Sequence, residues 1–543
     1  MRNRLNTLIL CVYIGGIFFL SHFFGCASIQ HPTGGPRDSV APKILEENPK
    51  NFTTSFKDDE INIEFNEYYK LVNEFKEISV SPAMEKAPVF KVKKKTLNIQ
   101  FQEPLQDSTT YTINFGNALA DYNEGNVLKN YMYVFATGDK IDSLSISGNV
   151  KNTLTKEGVL DATVFILPTS QDSLFGKKRA SIFTTTDSSG NFSLKYLREG
   201  SYNLYALKEK GGDKIYNSTN EEIGFRSDPI VLTKDTSGVD LEIFTEQAKE
   251  FRLLDRKIEK DARISFIFNK QLEKPQIQVL QPATLNNSKI TEFSPTNDTA
   301  YVWTQSMEFD SLTVAFQDDK QNLDTVTIRR NKRDTYERAL TFTDNVSSSR
   351  LKPGADVILI SSAPISTIDG KKITLLQDSI PVNGLRVSRD SLSTRRIIFK
   401  YPWRDEKQYT LSIAEGGLTG TFGGTNKPYS KQFSKDSEDN YGELSIIVSV
   451  PDTSKSYIIQ VLNEEDRIIK SDATRSNITL TYSMMSIGKY YVRVVYDDNK
   501  NGKWDTGDVK ERKQPENVSN YPEEISLRAN FDIEQKISIP KDE

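Results

Sequence analysis

The sequence predicts an all-β chain of tandem β-sandwiches, and three observations carry that prediction. Short stretches alternate apolar and polar residues, as in Ile61-Asn62-Ile63-Glu64-Phe65, Leu97-Asn98-Ile99-Gln100-Phe101 and Tyr111-Thr112-Ile113-Asn114-Phe115. Alternation of this kind gives a strand one buried and one solvated face. Gly, Asn, Asp and Pro separate these stretches, and related patterns recur down the chain with no long amphipathic helix between them. Strands at such spacing suggest pairs of packed sheets.

The chain opens with Arg2 and Arg4, then runs from Leu8 to Leu20 without a charge, and reaches Phe23-Phe24-Gly25-Cys26. A basic start, an apolar run and a small residue before a cut read as a signal peptide over residues 1–25. As a helix the apolar run reaches about 20 Å, short of a hydrocarbon core of about 30 Å, so a stable span is the weaker reading. Gly25-Cys26 resembles a bacterial lipobox, although Phe23 stands where such boxes usually carry Leu. The resemblance implies that Cys26 is acylated and becomes the mature N-terminus, anchoring the chain to an outer membrane by covalent lipid. Residues 26–41 then form a tether, since His31-Pro32-Thr33-Gly34-Gly35-Pro36 suits neither a helix nor a central strand. No acid follows Cys26 in Ala27-Ser28-Ile29-Gln30, and the periplasmic face and the cell surface both stay open.

Composition excludes several functions. The full chain carries −4, and without Arg2 and Arg4 the remainder has 68 basic and 74 acidic residues, or −6. That balance lacks the basic stripe nucleic acid requires. With the signal removed, Cys26 is the one cysteine and His31 the one histidine. An internal disulfide, a Ser-His-Asp triad, a Cys-His dyad and a His-ligated zinc site therefore lack their residues. Carboxylate chemistry and oxygen-ligated metals remain open.

Residues 42–140 form the first module. Pro32-Thr33-Gly34-Gly35-Pro36-Arg37-Asp38, Ile63-x-Phe65-x-Glu67, Tyr111 to Asn117, Asn123-Glu124-Gly125-Asn126 and Phe135-Ala136-Thr137-Gly138-Asp139 resemble the surface-layer-type Ig-like domain of bacterial envelope lipoproteins. That resemblance implies a β-sandwich and an envelope role, and brings no catalytic residues. Residues 141–245 differ. Gly148-x-Val150, Thr186 to Leu194 and Leu197-x-x-Gly200-x-Tyr202-x-Leu204 resemble the prealbumin-like sandwich of carboxypeptidase regulatory modules, which implies an accessory domain without chemistry. Residues 246–330 begin again with Ile264 to Lys270, echoing Ile61 to Glu67. Residues 331–437 follow, their Tyr409 to Ile413 and Gly423-Gly424-Thr425-Asn426 echoing the first module. Both look like Ig-like relatives of it. Residues 438–543 repeat the regulatory-like pattern, with Gly488 to Val492 aligned on Gly200 to Leu204, and Trp504 on Tyr216, at an offset of 288. Modules that each bury a core and pack end to end predict an elongated molecule.

The sharpest motif is Asp497-Asp498-Asn499-Lys500-Asn501-Gly502-Lys503-Trp504-Asp505-Thr506-Gly507-Asp508. Its oxygens have the spacing of an EF-hand-type calcium loop, with Asp497, Asn499, Asn501, the Lys503 carbonyl, Asp505 and Asp508 as ligands. Asp in place of the longer Glu at the last position, and flanking strands, favour instead a hairpin turn whose Asn, Asp and Gly serve backbone geometry. Asn123-Glu124-Gly125-Asn126, near Asp121, reads as a turn or as a polar loop facing a partner or sugar. Asp58, Asp59, Glu60, Glu64, Glu67 and Glu103 invite a glycosidase reading, but Glu64 falls out of phase with Ile63 and Phe65, on the solvated face. Lys91-x-Lys93-Lys94-Lys95 reads as a charged hairpin. Trp303 and Trp403 are either core or sugar-stacking platforms.

The expectation from sequence is a non-enzymatic outer-membrane lipoprotein that serves as a scaffold or accessory subunit. Its partner would be an integral outer-membrane protein or envelope complex, such as a β-barrel assembly or transport machine. The alternatives are a surface glycan adhesin and a glycan hydrolase with Ig-like spacers.

Overall fold

A computed structural model describes residues 38–542 apart from Ala83, Lys332 and Asn530. The expected signal peptide, Cys26 and most of the expected tether lie outside the described residues. The fold is almost entirely β, as the alternation predicts. No helix among the described residues is long and apolar enough to cross a membrane. The described residues divide into two compact units, one ending at residue 142 and the other beginning at residue 143.

The first unit packs a four-stranded antiparallel sheet against a three-stranded one. In the four-stranded sheet, Ile44–Asn48 lies beside Glu60–Phe65, then Thr96–Gln100, then Val89–Lys93. In the other, Ser79–Ser81, Thr110–Asn114 and Met132–Ala136 run side by side. Ile61, Ile63, Phe65, Leu97, Ile99, Ile113 and Phe135 point inward and are buried. Each side chain of this size contributes roughly 1.5–3 kcal/mol on burial. Glu64 is exposed, as its phase predicts. The Lys91–Lys95 run forms the hairpin between two strands, with Lys94 at φ 55° in its turn.

Among the described residues of the second unit, four module cores are centred on Ile166, Phe266, Leu411 and Ile459, and two smaller clusters gather around Tyr205 and Val495. The cores around Phe266 and Leu411 each lie under a four-stranded sheet whose strands follow the order first, second, fourth, third, as in the first unit. The Tyr111 hydroxyl accepts the Gln106 N–H at 2.8 Å, five residues back, and the Tyr409 hydroxyl accepts the Arg404 N–H in the same way at 2.8 Å. The pair of modules around Ile166 and Ile459 shares a different plan. In each, an early strand runs parallel to the last one, Val150 opposite Leu241 and Leu444 opposite Ile533. The Tyr202 hydroxyl donates to the Arg198 carbonyl at 2.9 Å, and Tyr490, at the offset of 288, to the Ser486 carbonyl at 2.7 Å.

Packing within residues 143–543 corrects the expectation of modules joined only end to end. Trp504 to Gln514, in the last module, folds onto residues 143–245. Thr506 donates to the Thr245 carbonyl at 2.8 Å, and Gln514 Nε2 to the Phe225 carbonyl at 2.8 Å. Val509 and Trp504 enter the apolar cluster of Phe165, Tyr205, Tyr216 and Phe244. The two central modules also join tightly. Arg395 donates from Nε and Nη2 to Glu292 Oε1 at 2.9 and 2.6 Å, and its guanidinium lies 5.3 Å from the Trp303 ring centre.

Candidate functional site

The Asp/Asn-rich loop lies between the strand Gly488–Asp497 and the strand Val518–Asn520. Asp497, at the end of its strand, is buried, and its carboxylate accepts the Ser456 hydroxyl at 2.9 Å and the N–H groups of Asn501 and Gly502 at 2.9 and 3.1 Å. Asn499 Oδ1 accepts the Asn501 N–H at 2.9 Å, and Asn501 Oδ1 the Lys503 N–H at 2.7 Å. Both side-chain amides turn their N–H groups toward the Asp505 carboxylate, Asn501 at 2.8 Å. Short polar side chains that bond backbone two residues on make turns of this type.

Asp508 does not join them. Its carboxylate pairs with Lys249 and accepts the Glu511 N–H at 2.8 Å. A residue the spacing did not single out, Glu516, comes in behind the loop and accepts the N–H groups of Asp498 and Asp505 at 3.0 and 2.9 Å. Burial pushes its carboxyl up, against the pull of those two N–H groups. Nothing in the spacing marks Glu516, because it reaches the loop from beyond a Pro-containing return. Among the described residues, no group of three or more His, Cys, Asp or Glu side chains could hold a metal ion. In this arrangement four of the side chains the spacing implied, Asp497, Asn499, Asn501 and Asp505, hydrogen-bond within the turn, and Asp508 pairs with Lys249. Millimolar calcium is expected to move the melting temperature of the full-length protein by less than about 1 °C, since a ligand stabilises only through binding the native state. A rise of several degrees, lost in Asp497→Asn, would restore the ion.

The loop and its return hold the contact between the two like modules. Partial burial raises the Asp172 carboxyl, but hydrogen bonds from Tyr205 and Asn203 and the Arg512 guanidinium outweigh it and hold the group below the usual carboxylate range. Arg512 Nη2 reaches Asp172 at 3.2 Å and the Tyr205 hydroxyl at 2.9 Å. Burial likewise raises Asp508, and the hydrogen bonds from Lys249 and the Glu511 N–H outweigh it. The Tyr216 hydroxyl donates to Glu246, whose other oxygen accepts the Val509 N–H at 2.6 Å. Tyr216 and Trp504, matched by sequence offset, line this one contact together.

The other candidates resolve into structure. Asp121 is buried and its carboxylate accepts the Glu124 and Asn126 N–H groups, both at 2.6 Å, so the 123–126 loop is a capped turn, with Gly125 at φ 80°. Glu103 accepts the Glu85 and Lys86 N–H groups, and Asp58 and Asp59 are exposed. Neither tryptophan forms a platform. Trp303 is 3% exposed, and Trp403 is half-buried against Tyr401, Tyr409 and Phe433.

The family described as a bacterial Ig-like domain matches residues 38–137. The first module is a bacterial Ig-like domain. No curated protein matches the chain. Among solved structures it is similar to the Bacillus anthracis TIE protein, at 11% identity over 94% of this chain and 75% of that one, with a TM-score of 0.14. It is similar to the S-layer protein rSbsC at 10% identity over 90% and 68%, TM-score 0.14. It is also similar to SGBP-B of the Bacteroides ovatus mixed-linkage glucan utilization locus, in complex with a mixed-linkage heptasaccharide, at 11% identity over 62% and 87%, TM-score 0.17. Likeness of this depth bears on neither ligand nor partner.

Proposed function

We propose that the chain is a non-enzymatic lipoprotein of a Gram-negative outer membrane, anchored through lipid on Cys26, that acts as a scaffold or accessory subunit of an envelope complex. The observation that supports it best is how the second unit spends its polar loops. Arg395 with Glu292, and Arg512 with Asp172, tie modules to one another. A chain whose conspicuous charged residues fix module to module is suited to holding surfaces in place. Of the carboxylates that the hydrolase reading names, Glu103 caps a turn and Asp58, Asp59, Glu60 and Glu64 stand exposed. A glycan adhesin, the competing reading, loses Trp303 and Trp403 as its platform.

β-barrel assembly and transport machines are the partner class this reading names. Affinity purification of the full-length protein in mild detergent is expected to bring down an integral outer-membrane barrel in stoichiometric amount, identified by mass spectrometry. Recovery of the protein alone would count against the scaffold. Proteolysis of whole cells assigns it to the periplasmic face or the cell surface.

A further inference from the structure

The first module carries a pair of exposed tyrosines at one end. The strand Tyr69–Leu71 runs antiparallel to Leu119–Asp121, with Tyr69 opposite Asp121. The pairing continues one step further, where the Tyr122 N–H donates to the Tyr68 carbonyl at 3.1 Å. Side chains alternate across a ladder. Tyr69 and Asp121 are both 2% exposed and point inward; Tyr68 and Tyr122 point outward and are 59% and 64% exposed. Val72, on the same face as Tyr68, is exposed too. Lys70 Nζ lies on the Tyr122 carbonyl at 3.1 Å. Lys95 Nζ lies 5.8 Å from the Tyr68 ring centre, held on the Asn66 carbonyl at 2.7 Å. Glu67 and Glu124, both half-buried, neighbour the two tyrosines in sequence.

Where the chain enters this module bounds how far the pair can stand from Cys26. The Asp38 carbonyl accepts the Asn126 side-chain amide at 3.0 Å, so the first described residue sits on the loop that carries Tyr122. Asp38 follows Cys26 by twelve residues. Twelve residues span at most about 40 Å when fully extended. An acyl group on Cys26 would therefore keep this end of the module within that distance of the lipid. Tyrosine has an apolar body and a polar tip, and settles at the boundary between headgroups and acyl chains. Lysine keeps its stem on apolar surface while its ammonium reaches phosphate.

We propose that Tyr68 and Tyr122, with Lys70 and Lys95, form a membrane-docking surface that lays this end of the first module on phospholipid headgroups. The proposal rests on the lipid anchor at Cys26, which would keep this end of the module within reach of the headgroups.

The acylated protein offers a clean test, since Cys26 is the only cysteine after the signal. Asn123→Cys, beside the pair, and Asp107→Cys, an exposed control next to the turn capped by Tyr111, each accept one environment-sensitive nitrobenzoxadiazole probe. The labelled full-length mature proteins are reconstituted in vesicles of phosphatidylethanolamine and phosphatidylglycerol and compared with detergent solution. Emission at position 123 is expected to rise at least about twofold, with no rise at 107, as an interfacial contact requires. Adding Tyr68→Ser and Tyr122→Ser should abolish the rise. Vesicles that float with the protein while the probe at 123 stays in water overturn the docking surface and leave the anchor standing. Protein that fails to float, and takes up no labelled palmitate, overturns both. A rise at 123 caused by soluble dextran in detergent, with none on vesicles, gives the tyrosines to sugar and overturns the proposal.

Discussion

Cys26→Ser is expected to abolish incorporation of labelled palmitate and to move the protein from the membrane fraction into the soluble one. Burying an acyl chain contributes about 0.8 kcal/mol per CH₂, so removing the chains removes most of the membrane affinity. As a span the apolar run Leu8 to Leu20 is a weak replacement for them, being about 10 Å short as a helix. Exposed contacts such as Tyr68 and Tyr122 would hold the unacylated chain only weakly. Fractionation and palmitate labelling separate the outcomes. Label lost with the protein still sedimenting in membranes would mean that the uncleaved leader holds it. Wild-type protein that takes up no palmitate would remove the lipoprotein reading altogether.

The strands were legible because their signal is local. Ile61, Ile63 and Phe65 fall on one face whatever the rest of the chain does, and all three are fully buried. The same holds for the matched pair Tyr202 and Tyr490, whose hydroxyls close equivalent turns four residues back. The contact between modules was not legible, because no local pattern encodes it. The offset of 288 aligned Trp504 with Tyr216, but alignment says that two residues are equivalent, not that they touch. Asp508 shows the same limit from the other side. Its spacing from Asp497 is that of a calcium ligand, yet its partner, Lys249, lies 259 residues away. Charge attraction between distant segments leaves no trace in a local motif. The core reading of the tryptophans holds, but periodicity places Trp303 on a strand without revealing that Arg395 of the next module covers it.

Gly507→Leu is expected to open the contact between residues 143–245 and the last module. A Cβ at Gly507 would stand 2.5 Å from Phe244 Cζ and 2.7 Å from the Lys513 carbonyl oxygen. The ring can turn a little, but the carbonyl belongs to backbone and cannot yield without moving the loop. Overpacking of this kind costs about 1–3 kcal/mol. Because Trp504 and Val509 share the cluster with Phe244, the displaced loop should withdraw both. Thermal unfolding of the variant is expected to split, with one of the two modules melting first, and the Arg512 side of the loop should become cleavable by trypsin in the native state. Gly502→Ala is the matched control. Gly502 has φ 75° in the same loop, and a Cβ there meets nothing within 4 Å. It should cost about 1 kcal/mol through backbone strain alone and leave the two modules together. Arg512→Ala should do less than Gly507→Leu, because a partly exposed ion pair contributes only about 0–1 kcal/mol. Acid acts in the same direction as the leucine. The carboxyls of Asp172 and Asp508 are both held below their ordinary range in the folded protein. A depressed carboxyl stabilises the fold above its unfolded pKa, about 3.9, and that contribution is lost as pH falls through the lower folded value. The contact should therefore hold from neutrality down to about pH 4 and loosen below it. Asp172→Asn should flatten that dependence, while a variant whose contact still loosens below about pH 4 as the wild type does would show that Asp172 does not set it.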